Sequence, residues 1–262
     1  MQANTINHYK LASDVYHDSW FYRCGSPYEK WQTALIHNSC DSIMKTKTVL
    51  IADIGGGTGR CGSLLHDAAG LTRNVLCVDP SADMLAIAKQ RSCVDVLEQD
   101  CIGFASSLQS QSFDIFILKE MIHCLCIEAI GDMFANLHRG LRQNGLCLVV
   151  TRPSVNIDYP FFEAAKTIWR EQQPDAEVYR TAMISAGFQN VTVREHSFPV
   201  RMQMSIWISA IANRVWTTFS RDNFSDDELE RGIAEIIRSH PADARGDVHF
   251  DERLIFVEGV KY

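Results

Sequence analysis

The chain has 262 residues, 25 of them basic and 32 acidic, for a net charge of −7. That length suits one α/β domain with insertions or two small domains, with core enough to fold without staples. The acidic balance and the lack of a basic run argue against nucleic acid as a partner. No apolar stretch reaches the ~20 residues of a membrane span, and residues 1–10 carry no apolar secretory segment.

Residues 1–45 read as helical and aromatic-rich, with Tyr9, Tyr16, Trp20, Tyr22, Tyr28 and Trp31 among them. An apolar run at 48–54 reads as a strand, followed by a glycine turn and a helix over 60–69. A strand over 74–79 and a helix over 81–91 come next, the helix starting near Ser81 or Asp83. Strands follow at 94–100 and 113–120, and a helix over 127–143 is expected to close on Asn144-Gly145. Another strand spans 146–151. Apolar runs separated by helices indicate a parallel sheet covered on both faces.

After Pro153 the rhythm changes. Helices are expected over 160–173 and 175–186, a strand over 191–198, helices over 203–219 and 226–239, and a last strand over 253–260. The stretch 201–250 reads as an insertion over the sheet, a substrate cap within one domain. The nine cysteines include no CxxC pair, which speaks against a zinc site or a redox dithiol; no metal is expected. Small buried thiols in a reducing, cytoplasmic setting are the simplest expectation.

The chemistry concentrates at 49–60, VLIADIGGGTGR. A strand that breaks into Gly55, Gly56, Gly57 and Gly59 before a helix lets backbone approach a ligand closely. Asp53, Asp79 and Asp100 fall at the ends of the first three expected strands, where open α/β sheets bind ligands. Asp79 lies about 20 residues past the glycine turn, the spacing at which an acid meets ribose hydroxyls. G-T-G-R-C-G at 57–62 formally matches a dinucleotide fingerprint, so a nicotinamide-dependent oxidoreductase is one candidate. Yet Asp53 and two extra glycines intervene between strand and fingerprint. A carboxylate there opposes a pyrophosphate and suits a ligand with positive charge.

In order and spacing, these segments resemble the class I S-adenosylmethionine-dependent methyltransferases, over roughly residues 45–152. D-I-G-G-G-T-G (53–59) resembles their first motif, V-D-P-S-A-D-M-L-A-I-A (78–88) their second, Q-D-C (99–101) the third-strand site and F-D-I-F-I-L-K-E (113–120) their fourth. L-R-Q-N-G-L-C-L-V-V (141–150) resembles the segment leading into the fifth strand. The nearest flavour is the small-molecule branch of ubiquinone-biosynthesis-type and trans-aconitate-type enzymes.

The resemblance implies a Rossmann-like seven-stranded sheet with one antiparallel strand, an N-terminal helical lid and an insertion between the last two strands. It also implies S-adenosylmethionine as cofactor. Gly55, Gly57 and Gly59 would pass beside the methionine moiety, and Asp53 would organise the turn and the ammonium. Asp79 would hold the ribose and Met84 would pack on adenine. Asp100 and the Cys101 N–H would meet the adenine edge. Lys119 and Glu120 would sit near the transferring methyl.

His123 is the expected base, with Glu120 beside it; Arg152, Tyr16, Tyr22, Trp207 and Trp216 would contact a small-molecule acceptor. Neither nucleic acid nor membrane is expected as a partner, and a homodimer is compatible with the sequence. Two further readings stay open: a metalloid methyltransferase using Cys61 with Cys124 and Cys126, and a cofactor-binding module without activity.

Overall fold

A computed structural model describes residues 24–262. The first helix of the described residues, α1 (Pro27–Met44), starts at Ser26, whose hydroxyl accepts the Glu29 N–H, with proline in the first turn. Its buried residues, Tyr28, Gln32, Ile36, Cys40 and Met44, recur every fourth position and form one stripe. Most of that stripe joins the main core, so the described part of the expected lid is a core helix.

The chain then alternates: β1 (Ile51–Ile54), α2 (Arg60–Ala69), β2 (Val75–Asp79), α3 (Ala82–Ala88), β3 (Val94–Glu98), α4 (Cys101–Ser107), β4 (Phe113–Lys119), α5 (Ile127–Gly140) and β5 (Leu141–Thr151). The remainder is α6 (Glu163–Gln172), α7 (Ala176–Ser185), β6 (Gln189–Gln203), α8 (Met204–Ala212), α9 (Asp226–Ser239) and β7 (Asp247–Val260). The seven strands lie in the order β3-β2-β1-β4-β5-β7-β6. All neighbours are parallel except β7, which runs antiparallel to both β5 and β6. The expected sheet, with its one reversed strand and its insertion between the last two strands, is the observed one.

Strand parity explains the continuous apolar runs. Ile51, Ile115, Ile117, Leu146, Leu148 and Val150 face a core shared with α1 and α2, whereas Ala52, Ile54, Phe116, Leu118, Cys147 and Val149 face α4, α5 and α7. Both faces are covered, as parallel strands require. The order reverses between β1 and β4, so the carboxyl ends of β1, β2 and β4 open onto one crevice.

Three local expectations are corrected. The helix over 127–143 stops at Gly140, and Asn144-Gly145 sits inside β5 instead of capping it. Asn144 takes a left-handed φ of 62°, and the β4–β5 register shifts between Phe113 and Ile115 at this point. A Cβ on Gly145 would meet the Arg142 and Asp114 carbonyls at 2.9 Å. The dipeptide makes a bulge, the other place where positive φ is needed. Residues 99 and 100 are not strand but the lead into α4, a helix that the expected elements lacked. Last, β6 and β7 run 15 and 14 residues, so the insertion between them is 204–246 and not 201–250.

The insertion packs on the sheet. Trp207, Ile211, Leu229 and Ile236 join the same core as Phe250, Leu254 and Phe256 of β7. Gly232 on α9 faces the Phe162 ring, which a Cβ would meet at 2.5 Å. Gly232→Ala is therefore expected to lower stability by about 1–3 kcal/mol through overpacking, despite a propensity gain of about 1 kcal/mol. Denaturant unfolding measures it.

Candidate active site

After β1, Gly55, Gly57 and Gly59 all take positive φ, of 70°, 55° and 68°. The Gly55 and Gly56 N–H groups both donate to the Val78 carbonyl, at 2.7 and 3.2 Å, which fastens the turn to β2. Gly55 has no room for a side chain, because Met121 would lie 2.6 Å from a Cβ. Gly57 differs: no described residue lies within 4 Å of where its Cβ would be. Its backbone borders open space, as an atom facing a ligand does.

Asp79 ends β2 against this turn. One carboxylate oxygen accepts the Gly57 N–H at 3.0 Å and the other the Ser81 N–H at 2.9 Å. Burial raises its pKa above the ordinary value while these two donors pull it down. Each oxygen keeps a second lone pair for a hydroxyl donor.

Asp53 lies beneath the glycines, 1% exposed. Its Oδ2 accepts the Gly62 N–H at 3.2 Å, and its Oδ1 is buried with no hydrogen-bond partner. Burial pushes its pKa up to about 6, the nearby Lys119 charge and the Gly62 N–H pull it down, and Asp79 adds to the rise. Burying an acceptor with no partner among the described residues is costly.

Asp100 is the N-cap of α4: its Oδ1 accepts the Ile102 and Gly103 N–H groups at 3.0 and 2.9 Å. The carboxylate is exposed one strand over from Asp79, and Cys101 opens the helix as a buried residue. Met84, half-buried, stands in the first turn of α3, its N–H bonded to the Ser81 hydroxyl.

After β4 the chain turns sharply at Glu120, φ 55°. Glu120 pairs with Arg152 at 2.9 Å and accepts from the Gln32 side chain of α1 at 3.1 Å. Burial alone would raise its pKa; the charges of Arg152 and Lys119 and the Gln32 hydrogen bond outweigh it and hold the carboxyl near 2. Glu120 is thus a fixed anion, engaged by Arg152 and Gln32. His123, on a single 3₁₀ turn (Ile122–Cys124), is held neutral at pH 7, its pKa lowered to about 4 by burial and by Arg152, with Glu120 opposing.

Arg152 directly follows β5 and also donates to Glu252 of β7 at 2.8 Å. Tyr159, Trp207 and Trp216 share a cavity with Arg152 and Glu252. Trp207 is buried, its indole N–H donating to the Pro160 carbonyl at 2.9 Å, so it also serves the core. Tyr16 and Tyr22, with Tyr9 and Trp20, lie outside the described residues. The three cysteines of the metalloid alternative do not form a thiolate site. Burial raises Cys61 well above its ordinary pKa and pushes Cys124 up to about 12, and Cys126 is exposed.

Residues 51–145 match the family model of a methyltransferase domain. This segment has the sequence of a methyltransferase domain. No curated protein has significant sequence similarity to the chain. Solved structures share the fold at low identity. A S-adenosylmethionine-dependent methyltransferase from Archaeoglobus fulgidus is 13% identical with a TM-score of 0.52, over 87% of this chain and 94% of that one. Phosphoethanolamine N-methyltransferase 2 of Haemonchus contortus, crystallised with S-adenosyl-L-methionine, is 18% identical with a TM-score of 0.57, over 99% of this chain and 57% of that one. The [4+2]-cyclase SpnF matches too, at 13% identity and a TM-score of 0.58, over 98% of this chain and 94% of that one.

The fold alone does not choose the reaction; the domain match over residues 51–145 points to methyl transfer. The cofactor is S-adenosylmethionine, and the residues present fit it: a turn open at Gly57, the Asp79 carboxylate at the strand end, and the unmet Oδ1 of Asp53. Nothing in the site or the comparisons favours a nicotinamide enzyme, a metalloid enzyme or an inactive module.

The sequence missed Gln32, Tyr159, Glu252 and Tyr28, whose hydroxyl donates to Glu252 Oε1 at 3.5 Å. Gln32 alone left a signal, as a polar residue on the apolar stripe of α1.

Proposed function

We propose that the protein transfers the methyl group of S-adenosylmethionine to an oxygen, nitrogen or sulfur of a small molecule, working as a single domain in the cytoplasm. The observation that carries this reading is Asp79, fixed by the Gly57 and Ser81 N–H groups beside the unmet Asp53 Oδ1. Bound, the cofactor supplies an already activated methyl on a sulfonium, so the protein mainly has to align the nucleophile and exclude water.

In this reading Asp79 holds the ribose, and Asp53 faces the ammonium near Lys119. Gly55, Gly57 and Gly59 shape the turn, and Met84, Asp100 and the Cys101 N–H receive the adenine. The core spans 46–152, and the insertion after β6 caps the acceptor, with Arg152, Trp207 and Trp216 as contacts. A small acceptor is supported by the Haemonchus relative, whose name gives phosphoethanolamine as its substrate. Among the described residues no helix is long and apolar enough to cross a membrane. Nine free thiols suit a reducing compartment.

His123 is the proton acceptor in this reading, and Glu120 and Arg152 orient. His123→Ala is expected to lower kcat by roughly 10²–10⁴-fold while leaving S-adenosylhomocysteine affinity within twofold. Because its pKa is held near 4, the wild-type rate should not change with His123 titration between pH 6 and 8 and should fall below about pH 5. The check is release of S-adenosylhomocysteine in a panel of small amines, alcohols and thiols. A fully active His123→Ala would remove the role, and no turnover with any acceptor would count against the reading itself.

A further inference from the structure

At the amino ends of β2 and β3, three ligating side chains converge: His66, Asp67 and Cys93. Their nitrogen, oxygen and sulfur atoms all lie within 4.8 Å of one another. His66 and Asp67 stand near the end of α2, and Cys93 directly precedes β3. The Cys93 carbonyl accepts the Val75 N–H at 3.0 Å, which fixes that turn against the start of β2. Asp79 and the glycine turn lie at the carboxyl end of β2, so this cluster occupies the opposite edge of the sheet.

Apolar packing explains why Cys93 is half-buried beside Leu85 and Val94. It does not explain an imidazole and a carboxylate next to the sulfur. His66 Nδ1 and Asp67 Oδ1 are 3.2 Å apart. Tetrahedral zinc, with nitrogen and oxygen at about 2.0–2.2 Å, sets two such ligands about 3.3–3.5 Å apart. The sulfur is held from outside: the Cys93 thiol donates to the Ser63 hydroxyl at 3.3 Å, across 30 positions. A metal ligand oriented by an outer partner is the usual arrangement.

The donor set says which ion. Sulfur with imidazole and carboxylate suits zinc, whereas magnesium and calcium take oxygen ligands. Thiolate and carboxylate together balance the charge of a divalent ion, and the carboxyl end of α2 favours a cation. The Asp67 side chain is 71% exposed, so an ion can enter and water can complete the shell. No cysteine spacing marks such a site, because thiol and imidazole come from different elements.

We propose that His66 Nδ1, an Asp67 carboxylate oxygen and Cys93 Sγ bind one zinc ion, with water as the fourth ligand. The Cys93 thiol releases its proton to solvent as the metal–sulfur bond forms, and no electron is transferred. The ion clasps the end of α2 to the turn before β3, away from the cofactor crevice, so its role is structural. The inference does not depend on the methyl-transfer reading.

The test titrates the full chain, first freed of metal by a chelator, with cobalt(II), whose charge-transfer absorption reports a bound thiolate. The expected result is saturation at one cobalt per chain and displacement by zinc, which binds such sites more tightly. The charge-transfer band should vanish in Cys93→Ser. Affinity should fall at least ~10-fold in His66→Ala, since even losing an outer partner costs about 10–100-fold. Zinc should raise the Tm of the wild type and not that of Cys93→Ser. No saturable band in the wild type would overturn the proposal. A full band in Cys93→Ser would assign the thiolate to another cysteine and overturn it too, as would unchanged affinity in His66→Ala. Should Cys93→Ser fail to fold, His66→Ala and Asp67→Ala decide: weaker cobalt binding in both supports the site, and wild-type affinity in either removes it.

Discussion

Asp79→Ala is expected to weaken S-adenosylhomocysteine binding at least ~100-fold, since hydrogen bonds to a charged group contribute about 1.5–3 kcal/mol each and a ribose offers two hydroxyls. The same substitution frees the Gly57 and Ser81 N–H groups, so the glycine turn loses an anchor as well. Asp79→Asn keeps the shape and one acceptor and should fall between. Asp100→Ala should cost less, because that carboxylate is exposed and already caps α4. Calorimetric titration of the variants ranks them. Wild-type affinity in a folded Asp79→Ala would remove Asp79 from the cofactor site.

Arg152→Leu should be the most destabilising single change in the site. It strands the Glu120 and Glu252 carboxylates in the interior, and breaking a buried pair from one side costs about 3–5 kcal/mol. For a domain of this size that is a drop in Tm of roughly 6–20 °C, at ~2–4 °C per kcal/mol. The pH dependence carries a sign. Glu120 is held near 2, below its unfolded value, so its stabilisation is present above the unfolded pKa and fades as pH falls toward 2. Without Arg152 that carboxyl rises and protonates more readily. Glu252, already raised chiefly by burial, rises further. The wild type and the variant should therefore differ most above about pH 5 and converge toward pH 3. Thermal melts at pH 4 and pH 7 test this, and a gap of equal size at both would show that Arg152 acts by packing alone.

Much of this was legible in the chain because the glycine turn and the apolar runs are local signals. Asp53, Asp79 and the four glycines sit where strand, turn and helix must meet, so reading the elements in order also finds the proposed cofactor site. Asn144-Gly145 was misplaced because positive φ serves a helix end and a bulge equally, and only the partner strand decides between them. The helix α4 was hidden by its short, small-residue sequence CIGFASS, although Asp100 ahead of it is a good cap residue.

The acceptor region was far less legible. Gln32 meets Glu120 across 88 positions, and Arg152 meets Glu252 across 100. No local pattern marks such a pair: Glu252 reads as one more charged residue in a strand until β7 lies down beside β5. Trp207 and Trp216 were singled out as aromatics, but their common cavity with Arg152 depends on how the insertion folds back over the sheet.

The most direct measurement is a calorimetric titration of the full chain with S-adenosylhomocysteine and, separately, with NAD. The turn at Gly57, the Asp79 carboxylate and the unmet Asp53 oxygen predict saturable binding of one S-adenosylhomocysteine per chain and no measurable heat from NAD. Saturable NAD binding with no response to S-adenosylhomocysteine would contradict the account.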